Sequence, residues 1–262
     1  MSDYVGDNKW IPKGESDIDA DRIVWSTKQI NDLALALDQG YRPKIKLPFY
    51  EGKQFLRKGG IVFECTDEEI QELAKCASDI VYFAEKYAVV MTDNGIQQVR
   101  LREYQKRMLR NFQHERFNIV LASRQMGKTV TASIFNAWYL TFNVDKNTLL
   151  LANKSDTTKE IIDKAKVVIE NLPFFMKPGI IKYDVMNVRC DNGCRLVGQS
   201  TTAKAGIGFT IHNLYLDEFA HIHPSIVDVF YENVYPTLSA SKVSRITITS
   251  TPNGFNKFYQ IY

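Results

Sequence analysis

The sequence of 262 residues is poor in several features that would restrict what kind of protein it is. It contains four cysteines, too few for a chain of this length to depend on a disulfide framework. No apolar run reaches the roughly 18–20 residues of a membrane-spanning helix, because Glu85 and Lys86 interrupt the best candidate, residues 80–91. The N-terminus lacks a basic stretch followed by an apolar core and predicts no secretory signal. These absences favour a soluble, intracellular protein.

Net charge is low as well. The chain carries 33 lysines and arginines against 30 aspartates and glutamates, a formal net charge of +3. The excess of positive charge lies after residue 100, but it forms no dense basic run. This balance permits a phosphate-rich partner and does not predict sequence-specific reading of nucleic acid. At about 150 residues per domain, the length predicts one large domain, or one domain with a smaller appendage.

Helix-start signals and helix breakers divide the chain into two parts. Capping boxes at Ser26 and Thr66 predict two helices, and the second is expected to continue without a break through Tyr87. The segment between them is rich in proline and glycine. We therefore expect an N-terminal arm and a small, mainly helical or irregular subdomain over residues 1–65, and the main domain over residues 66–262.

From about residue 96 the hydrophobic pattern changes to alternating strands and helices. The alternating elements are strands over 97–101, 118–122, 148–152, 213–216 and 245–250, and helices over 104–112, 129–142, 157–172 and 225–238. The segment Asp191-Asn-Gly193 predicts the turn of a hairpin over 185–197. Strands that alternate with helices indicate an α/β fold, with a mostly parallel sheet flanked by helices.

A phosphate-binding loop is predicted after the strand that ends at Leu121. There, backbone N–H groups and the N-terminus of the next helix would face the phosphates. Lys128 would neutralise the β- and γ-phosphates, and the Thr129 hydroxyl would bind Mg²⁺. The segment begins with alanine where the general pattern has glycine. The residues expected to bind nucleotide in this loop are Ser123, Arg124, Gln125, Met126, Gly127, Lys128 and Thr129.

Two acids, Asp217 and Glu218, follow the strand 213–216. They would lie at the carboxyl edge of a parallel sheet, where such folds bind ligands. Asp217 would hold Mg²⁺ through water, and Glu218 would orient and polarise the attacking water. Such a pair alone is also typical of a solvated strand end. About 90 residues after a phosphate-binding loop, it indicates an ATPase.

Three further features fit an ATP site, and each has an ordinary alternative. Thr249, Ser250 and Thr251 end a third strand and could couple hydrolysis to movement, or could simply close a β-branched strand. Tyr104-Gln105 could hold adenine by stacking and hydrogen bonding, or could form part of a buried helix face. Arg124 could reach the γ-phosphate as a cis arginine finger, or could pair with an acid on the surface.

The remaining histidines and cysteines predict no second metal site. Cys190 and Cys194 flank the hairpin turn, and the sequence does not cluster the further ligands that zinc needs. His212, His221 and His223 lie near the acidic pair and could suggest a second metal centre, but they are interpreted as polar loop residues.

In this order, the motifs resemble those of the large terminase subunit of tailed bacteriophages. Three segments carry the resemblance: Ser123-Arg-Gln-Met-Gly-Lys-Thr129, Leu214-Tyr-Leu-Asp-Glu218 and Thr249-Ser-Thr-Pro-Asn-Gly254. Asp79-Ile-Val-Tyr-Phe-Ala-Glu85 and Arg102-Glu-Tyr-Gln105 also look like the stretches that precede the loop in T4-like members. The similarity covers roughly residues 79–262.

The resemblance implies a P-loop NTPase of the ASCE, RecA-like type, the ATPase part of a motor that packages double-stranded DNA into a prohead. It implies ATP and Mg²⁺ as cofactors, with Tyr104 and Gln105 on the adenine and Thr129 and Asp217 on Mg²⁺. The catalytic residues would be Glu218 and Arg124, and Thr249, Ser250 and Thr251 would form the coupling motif. The implied partners are double-stranded DNA, the portal protein, the small terminase subunit and further copies in a ring, and the implied location is the host cytoplasm, away from membranes.

Two departures from the family pattern matter. Large terminases usually continue into an RNase H-like nuclease domain, whereas this sequence ends at Tyr262, so we expect no nuclease activity in it. Some members also have an arginine shortly before the acidic pair that acts on the neighbouring subunit's ATP. Here that position is Ile207, with Lys204 nearby, which shifts the expected role to Arg124.

Two other functions stay open at this level. A helicase-type motor would share the Tyr104-Gln105 pair and the acidic pair, but normally needs a second recombinase-like domain in the same chain. A non-hydrolysing ATP-binding scaffold would have no use for a carboxylate in the position of Glu218. The sequence therefore favours an ATP-driven DNA translocase.

Overall fold

The computed structural model describes most of the chain, over residues 23–43, 45–202, 210–228 and 241–262. Three parts of the sequence-based predictions lie outside these residues: the arm up to residue 22, the Lys204–Ile207 region and the later part of the helix predicted over 225–238. Residues 224–228 are helical, as expected for the start of that helix.

The N-terminal part forms a small unit around one buried cluster. Its helix α1, Thr27–Asp38, begins at the predicted capping box and ends before Gly40, whose φ of +92° suits glycine. Strands β1 (Val24–Trp25) and β2 (Val62–Phe63) pair in parallel beside it. The cluster of Trp25, Ile30, Leu33, Phe49, Ile61 and Phe174 joins this unit to the main body through its last member. The division at residue 65 stays a prediction.

The single helix predicted from Thr66 to Tyr87 is wrong. Two helices occupy this segment, α2 (Asp67–Ser78) and α3 (Ile80–Tyr87). Asp79 breaks the helix with φ −132° and ψ 100°, and its Oδ1 accepts hydrogen bonds from the N–H groups of Val81 and Tyr82. A side chain that caps the backbone competes with the helical hydrogen bonds, which explains the break despite continuous helical spacing.

The carboxylate of Glu72 ties α2 to α3. It accepts hydrogen bonds from the Tyr82 hydroxyl at 3.0 Å, the Tyr87 hydroxyl at 2.8 Å and the Lys86 ammonium at 2.9 Å. Burial by itself would raise the pKa of Glu72, but the hydrogen bonds from Lys86, Tyr87 and Tyr82 lower it from 4.5 to about 2. The ionised form is therefore the one that stabilises the fold.

Replacement of Glu72 by glutamine is expected to lower the free energy of unfolding by about 1–2 kcal/mol at neutral pH. Because the folded-state pKa lies below 4.5, the carboxylate's contribution is complete above that pH and is lost as the pH falls toward about 2. Urea unfolding at pH 7 and pH 3 should therefore show a difference between wild type and variant that narrows in acid. Glu160→Gln, in the surface pair with Lys164, is the matched control and should change little at either pH. A difference independent of pH would contradict this account.

Strands β3 (Val89–Thr92) and β4 (Gly95–Gln98) form a separate antiparallel hairpin before the main sheet. The strand predicted over 97–101 therefore begins and ends earlier than expected, and it pairs locally. Helix α4, Glu103–His114, follows it and leads into the first strand of the central sheet.

Within the described residues, the central sheet has seven strands, and the predicted, mostly parallel sheet is confirmed. Its strands are β5 (Phe117–Leu121), β6 (Asn147–Ala152), β7 (Ile180–Asp184), β8 (Asn187–Cys190), β9 (Arg195–Ser200), β10 (Asn213–Asp217) and β11 (Arg245–Ser250). Their order in space is β5-β11-β10-β6-β9-β8-β7. The first five in that order are parallel, whereas β8 runs antiparallel to both of its neighbours, β9 and β7. Strand β11 therefore lies between β5 and β10, so the ends of all three meet at one edge.

Side chains alternate between two buried layers of the sheet, as strand geometry requires. Leu150 and Tyr215 face the layer that contains α3, α4, α5 (Lys128–Phe142) and α6 (Ser155–Asn171). Leu149, Leu214 and Ile246 face the opposite layer, which contains the 3₁₀ turn Phe219–His221 and the C-terminal helix α7 (Lys257–Ile261). Both faces of the sheet are thus covered. Within the described ranges, no helix has the length and apolar character needed to cross a bilayer.

Candidate active site

The loop between β5 and α5 has the backbone of a phosphate-binding turn. Gly127 has φ +71° and ψ 23° and stands immediately before the first residue of α5, and Gln125 also has a positive φ of 61°. A Cβ at Gly127 would come within 2.5 Å of Gln105 Nε2, so any larger residue would displace the neighbouring side chain. These conformations turn the loop over the start of α5, where unpaired N–H groups and the helix dipole attract anions.

Lys128 is held inside this loop, with 7% of its surface exposed. Its Nζ donates to the carbonyl oxygens of Ala122 and Ser123, each at 3.1 Å, and lies 3.8 Å from Glu218 Oε1. A buried ammonium needs negative partners. The loop carbonyls and Glu218 supply them here, and the phosphates of a nucleotide can replace them.

The two predicted adenine contacts lie against the same loop. The Tyr104 hydroxyl donates to the carbonyl oxygen of Met126 at 3.0 Å, and the Gln105 amide packs on Gly127. Gln105 Oε1 also accepts from the N–H of Arg102 at 3.0 Å, within the capping box of α4. The structure therefore brings the predicted pair beside the predicted loop, although Tyr104 and Met126 are 22 positions apart along the chain.

Asp217, at the end of β10, is almost completely buried, with 2% exposure. Its Oδ1 accepts from Thr249 Oγ1 at 2.6 Å and from the N–H of Glu218 at 3.0 Å. Burial raises the pKa of Asp217, the bond from Thr249 lowers it, and the nearby charge of Glu218 raises it again, with a net increase. A cation beside this carboxylate would offset the cost of keeping it ionised.

Thr249 also accepts from a tyrosine in the core. Its Oγ1 lies 3.1 Å from the hydroxyl of Tyr215, and because the Thr249 proton goes to Asp217, the tyrosine must be the donor. Tyr215 is fully buried and packs edge-on against Phe112. The position of the Asp217 carboxylate is thus fixed from the core outward, by Tyr215 and then Thr249.

Glu218 has left-handed backbone angles, φ 51° and ψ 40°, which are unfavourable for a non-glycine residue. This turn aims its side chain back across the sheet edge toward two neighbours. Oε1 faces Lys128, and Oε2 accepts from Thr251 Oγ1 at 3.1 Å and from the Thr251 N–H at 3.4 Å. The carboxylate therefore bridges the phosphate-binding loop and the end of β11.

The last two residues of β11, Thr249 and Ser250, and the residue that follows the strand, Thr251, have separate contacts. Thr249 binds Asp217, and Thr251 binds Glu218. Ser250 Oγ accepts from the N–H of Ala220 at 3.0 Å, and its carbonyl oxygen accepts from the N–H of Ala122 at 3.1 Å. The predicted coupling motif thus touches the acidic pair, the turn after it and the start of the phosphate-binding loop.

Sequence reasoning missed His221. Its Nε2 lies 2.7 Å from Thr251 Oγ1 and 3.5 Å from Glu218 Oε2, so it is part of the site and not an ordinary loop residue. The feature of the sequence that could have placed His221 in the site was its position three residues after Glu218. The other two histidines near the acidic pair stay outside this network, because His212 Nδ1 accepts from the N–H of Asn147 and His223 Nδ1 contacts Ser225 Oγ.

Other predicted binding residues lie on the loop surface. Ser123, Arg124 and Gln125 are exposed, whereas Met126 and Thr129 are partly buried. Thr129 is the second residue of α5, directly after Lys128. The assigned roles of these residues stay predictions.

The fold and this edge of the sheet define a class of protein. A phosphate-binding loop after β5, an acidic pair after β10 and the intervening strand β11 are the arrangement of a P-loop NTPase of the ASCE type. The family model of the terminase large subunit, T4-like virus type, N-terminal part, matches residues 119–262. The chain belongs to this family, and the function that goes with it is that of a DNA-packaging ATPase.

Two solved structures are similar to this chain in fold. An ATPase-domain variant of the large terminase of Thermus phage P74-26 is 22% identical, with a TM-score of 0.50, over 62% of this chain and 70% of that chain. The large terminase of bacteriophage HK97 is 15% identical, with a TM-score of 0.56, over 66% of this chain. The match spans 37% of the HK97 protein, well short of its full length.

Proposed function

We propose that this chain hydrolyses ATP at the edge formed by the ends of β5, β10 and β11, and that hydrolysis drives the movement of double-stranded DNA during packaging. The observation that carries the proposal is the position of Glu218. Its two oxygens face the phosphate-binding lysine and the coupling strand. A residue that only helped to bind nucleotide would not need this bridging position.

Asp217 and Thr129 are proposed to hold Mg²⁺. A carboxylate and a hydroxyl are the hard oxygen ligands that Mg²⁺ prefers, with phosphate and water completing its shell. Within the described residues, the hydrogen bonds to Asp217 go to Oδ1, which leaves Oδ2 for a cation or its water. When bound, the ion would neutralise charge on the phosphates.

Glu218 is proposed to orient and polarise the attacking water. Its Oε2 is held by Thr251, so Oε1 is the oxygen that becomes available when Lys128 turns to phosphate. Lys128 and the N-terminus of α5 would stabilise the charge of the transferred phosphoryl group, and Arg124 would add a second positive charge from the same loop.

Coupling to movement is proposed to run through β11. Because Thr249 binds Asp217 and Thr251 binds Glu218, a change at either acid is transmitted to the same strand end.

By family membership, we propose self-assembly into a ring on the portal of a prohead, with double-stranded DNA and the small terminase subunit as further partners, in the host cytoplasm. The absence of nuclease activity stays a prediction.

The proposed function is tested by steady-state ATP hydrolysis, measured with Mg²⁺ or EDTA, with and without double-stranded DNA. Turnover is expected to require Mg²⁺, and Arg124→Ala is expected to lower it at least about tenfold because a transition-state charge is lost. Arg42→Ala, in which the lost arginine caps the end of α1, is the control and should leave turnover unchanged.

Mixing variants decides whether Arg124 acts within its own subunit. Arg124→Ala still has Glu218, and Glu218→Gln still has Arg124. If Arg124 acts in cis, on the ATP bound by its own subunit, a mixture of Arg124→Ala and Glu218→Gln stays as inactive as either variant alone at every protein concentration. Recovery of turnover on mixing would overturn the cis assignment, and turnover that persists in EDTA would overturn the proposed ATPase chemistry.

A further inference from the structure

The turn Phe219–His221 is anchored to β11 and to the segment after it. The N–H of Ala220 donates to Ser250 Oγ at 3.0 Å, and its carbonyl oxygen accepts from Asn253 Nδ2 at 2.9 Å and Asn256 Nδ2 at 2.8 Å. The N–H of His221 also donates to the carbonyl oxygen of Glu218 at 2.9 Å. The backbone that carries His221 is therefore fixed relative to the acidic pair on one side and β11 on the other.

The hydrogen-bond chemistry determines which way the contacts of His221 run. The Glu218 carboxylate can only accept, so the single proton of the Thr251 hydroxyl points to Glu218 Oε2. Thr251 Oγ1 then has only lone pairs left for His221 Nε2 at 2.7 Å, and that nitrogen must carry a proton. The chain of donation is His221 to Thr251 to Glu218.

We propose that His221 is a positioning residue for the catalytic carboxylate. By donating to Thr251, it holds the hydroxyl with its proton on Glu218 Oε2, which fixes the side chain and leaves Oε1 to face the phosphates. The inference rests on the proposed function, because it concerns how Glu218 is prepared for catalysis. It assigns His221 a role in turnover and none in binding nucleotide.

Three variants test the proposal. His221→Ala is expected to lower kcat about tenfold, the loss of one positioning hydrogen bond, and to leave KM for MgATP within about twofold. His221→Gln places an amide N–H near the position of Nε2, so it should recover most of the turnover. His223→Ala is the matched control, because among the described residues the side chain of that nearby histidine hydrogen-bonds to Ser225 and not to the acidic pair, and its kinetics should equal those of wild type.

The split between kcat and KM, together with rescue by glutamine, separates positioning from a structural role. An unchanged kcat in His221→Ala, or failure of glutamine to restore turnover, would each overturn the proposal. Should the alanine variant not fold, the turnover of His221→Gln still decides. If wild type hydrolyses no ATP, or Glu218→Gln loses no activity, the proposed function itself fails, whereas normal turnover in His221→Ala defeats only the role of His221.

Discussion

Replacement of Glu218 by glutamine is expected to abolish ATP turnover while ATP still binds. The amide keeps the size of the side chain and an oxygen that can accept from Thr251, but it cannot take a proton from water or polarise it. We expect kcat to fall at least about a thousandfold, within the range for loss of a general base. Affinity for a fluorescent ATP analogue should stay within about threefold of wild type, because Glu218 binds no phosphate and the change removes a negative charge near Lys128.

The control for this substitution is Glu51→Gln. Glu51 also has a positive φ, 50°, and its carboxylate also pairs with a lysine, Lys53 at 2.9 Å, but it lies in the N-terminal unit. Glu51→Gln should leave turnover and nucleotide affinity unchanged. Persistent turnover in Glu218→Gln would mean that another group activates the water. Loss of nucleotide binding together with turnover would mean that Glu218 maintains the shape of the loop and is not a base.

Replacement of Lys128 by alanine is expected to abolish turnover in a different way, through loss of nucleotide binding. The ammonium makes charge-assisted contacts inside the loop and is the group that we expect to neutralise the phosphates. We expect affinity for the ATP analogue to fall at least about a hundredfold and kcat/KM at least about a thousandfold. The fold should be retained, because removal of a buried ammonium also removes the cost of its desolvation.

Lys182→Ala is the matched control for Lys128→Ala. Lys182 also pairs with a carboxylate, Asp184 at 2.8 Å, but it lies on β7, the outermost strand on the side of the sheet away from β5. Titration of both variants with the ATP analogue, together with thermal unfolding, provides the test. Normal affinity in Lys128→Ala would contradict the phosphate-binding role of the loop. Loss of affinity accompanied by a large drop in melting temperature would assign Lys128 a structural role.

The local signals of the sequence predicted the fold well because they depend on near neighbours. The capping boxes at Ser26 and Thr66 start the helices that the structure shows, and apolar runs marked the strands that end at Leu121 and Asp217. Such patterns depend on helical or strand periodicity and on side chains three residues apart. The break at Asp79 could not be foreseen, since the sequence on both sides continues the helical spacing.

The sequence by itself determined which groups are available for chemistry in this protein: a loop predicted to bind phosphate, a pair of acids after a buried strand, and a third strand that ends in hydroxyls. These assignments required only residue types and spacing within short segments. Only the tertiary structure decided which of those groups touch. Strand β11 lies between β5 and β10 although it follows both in the chain, and this order places Thr251 on Glu218 and His221 on Thr251. Strand order depends on how distant segments pack into one core, and no local periodicity encodes it.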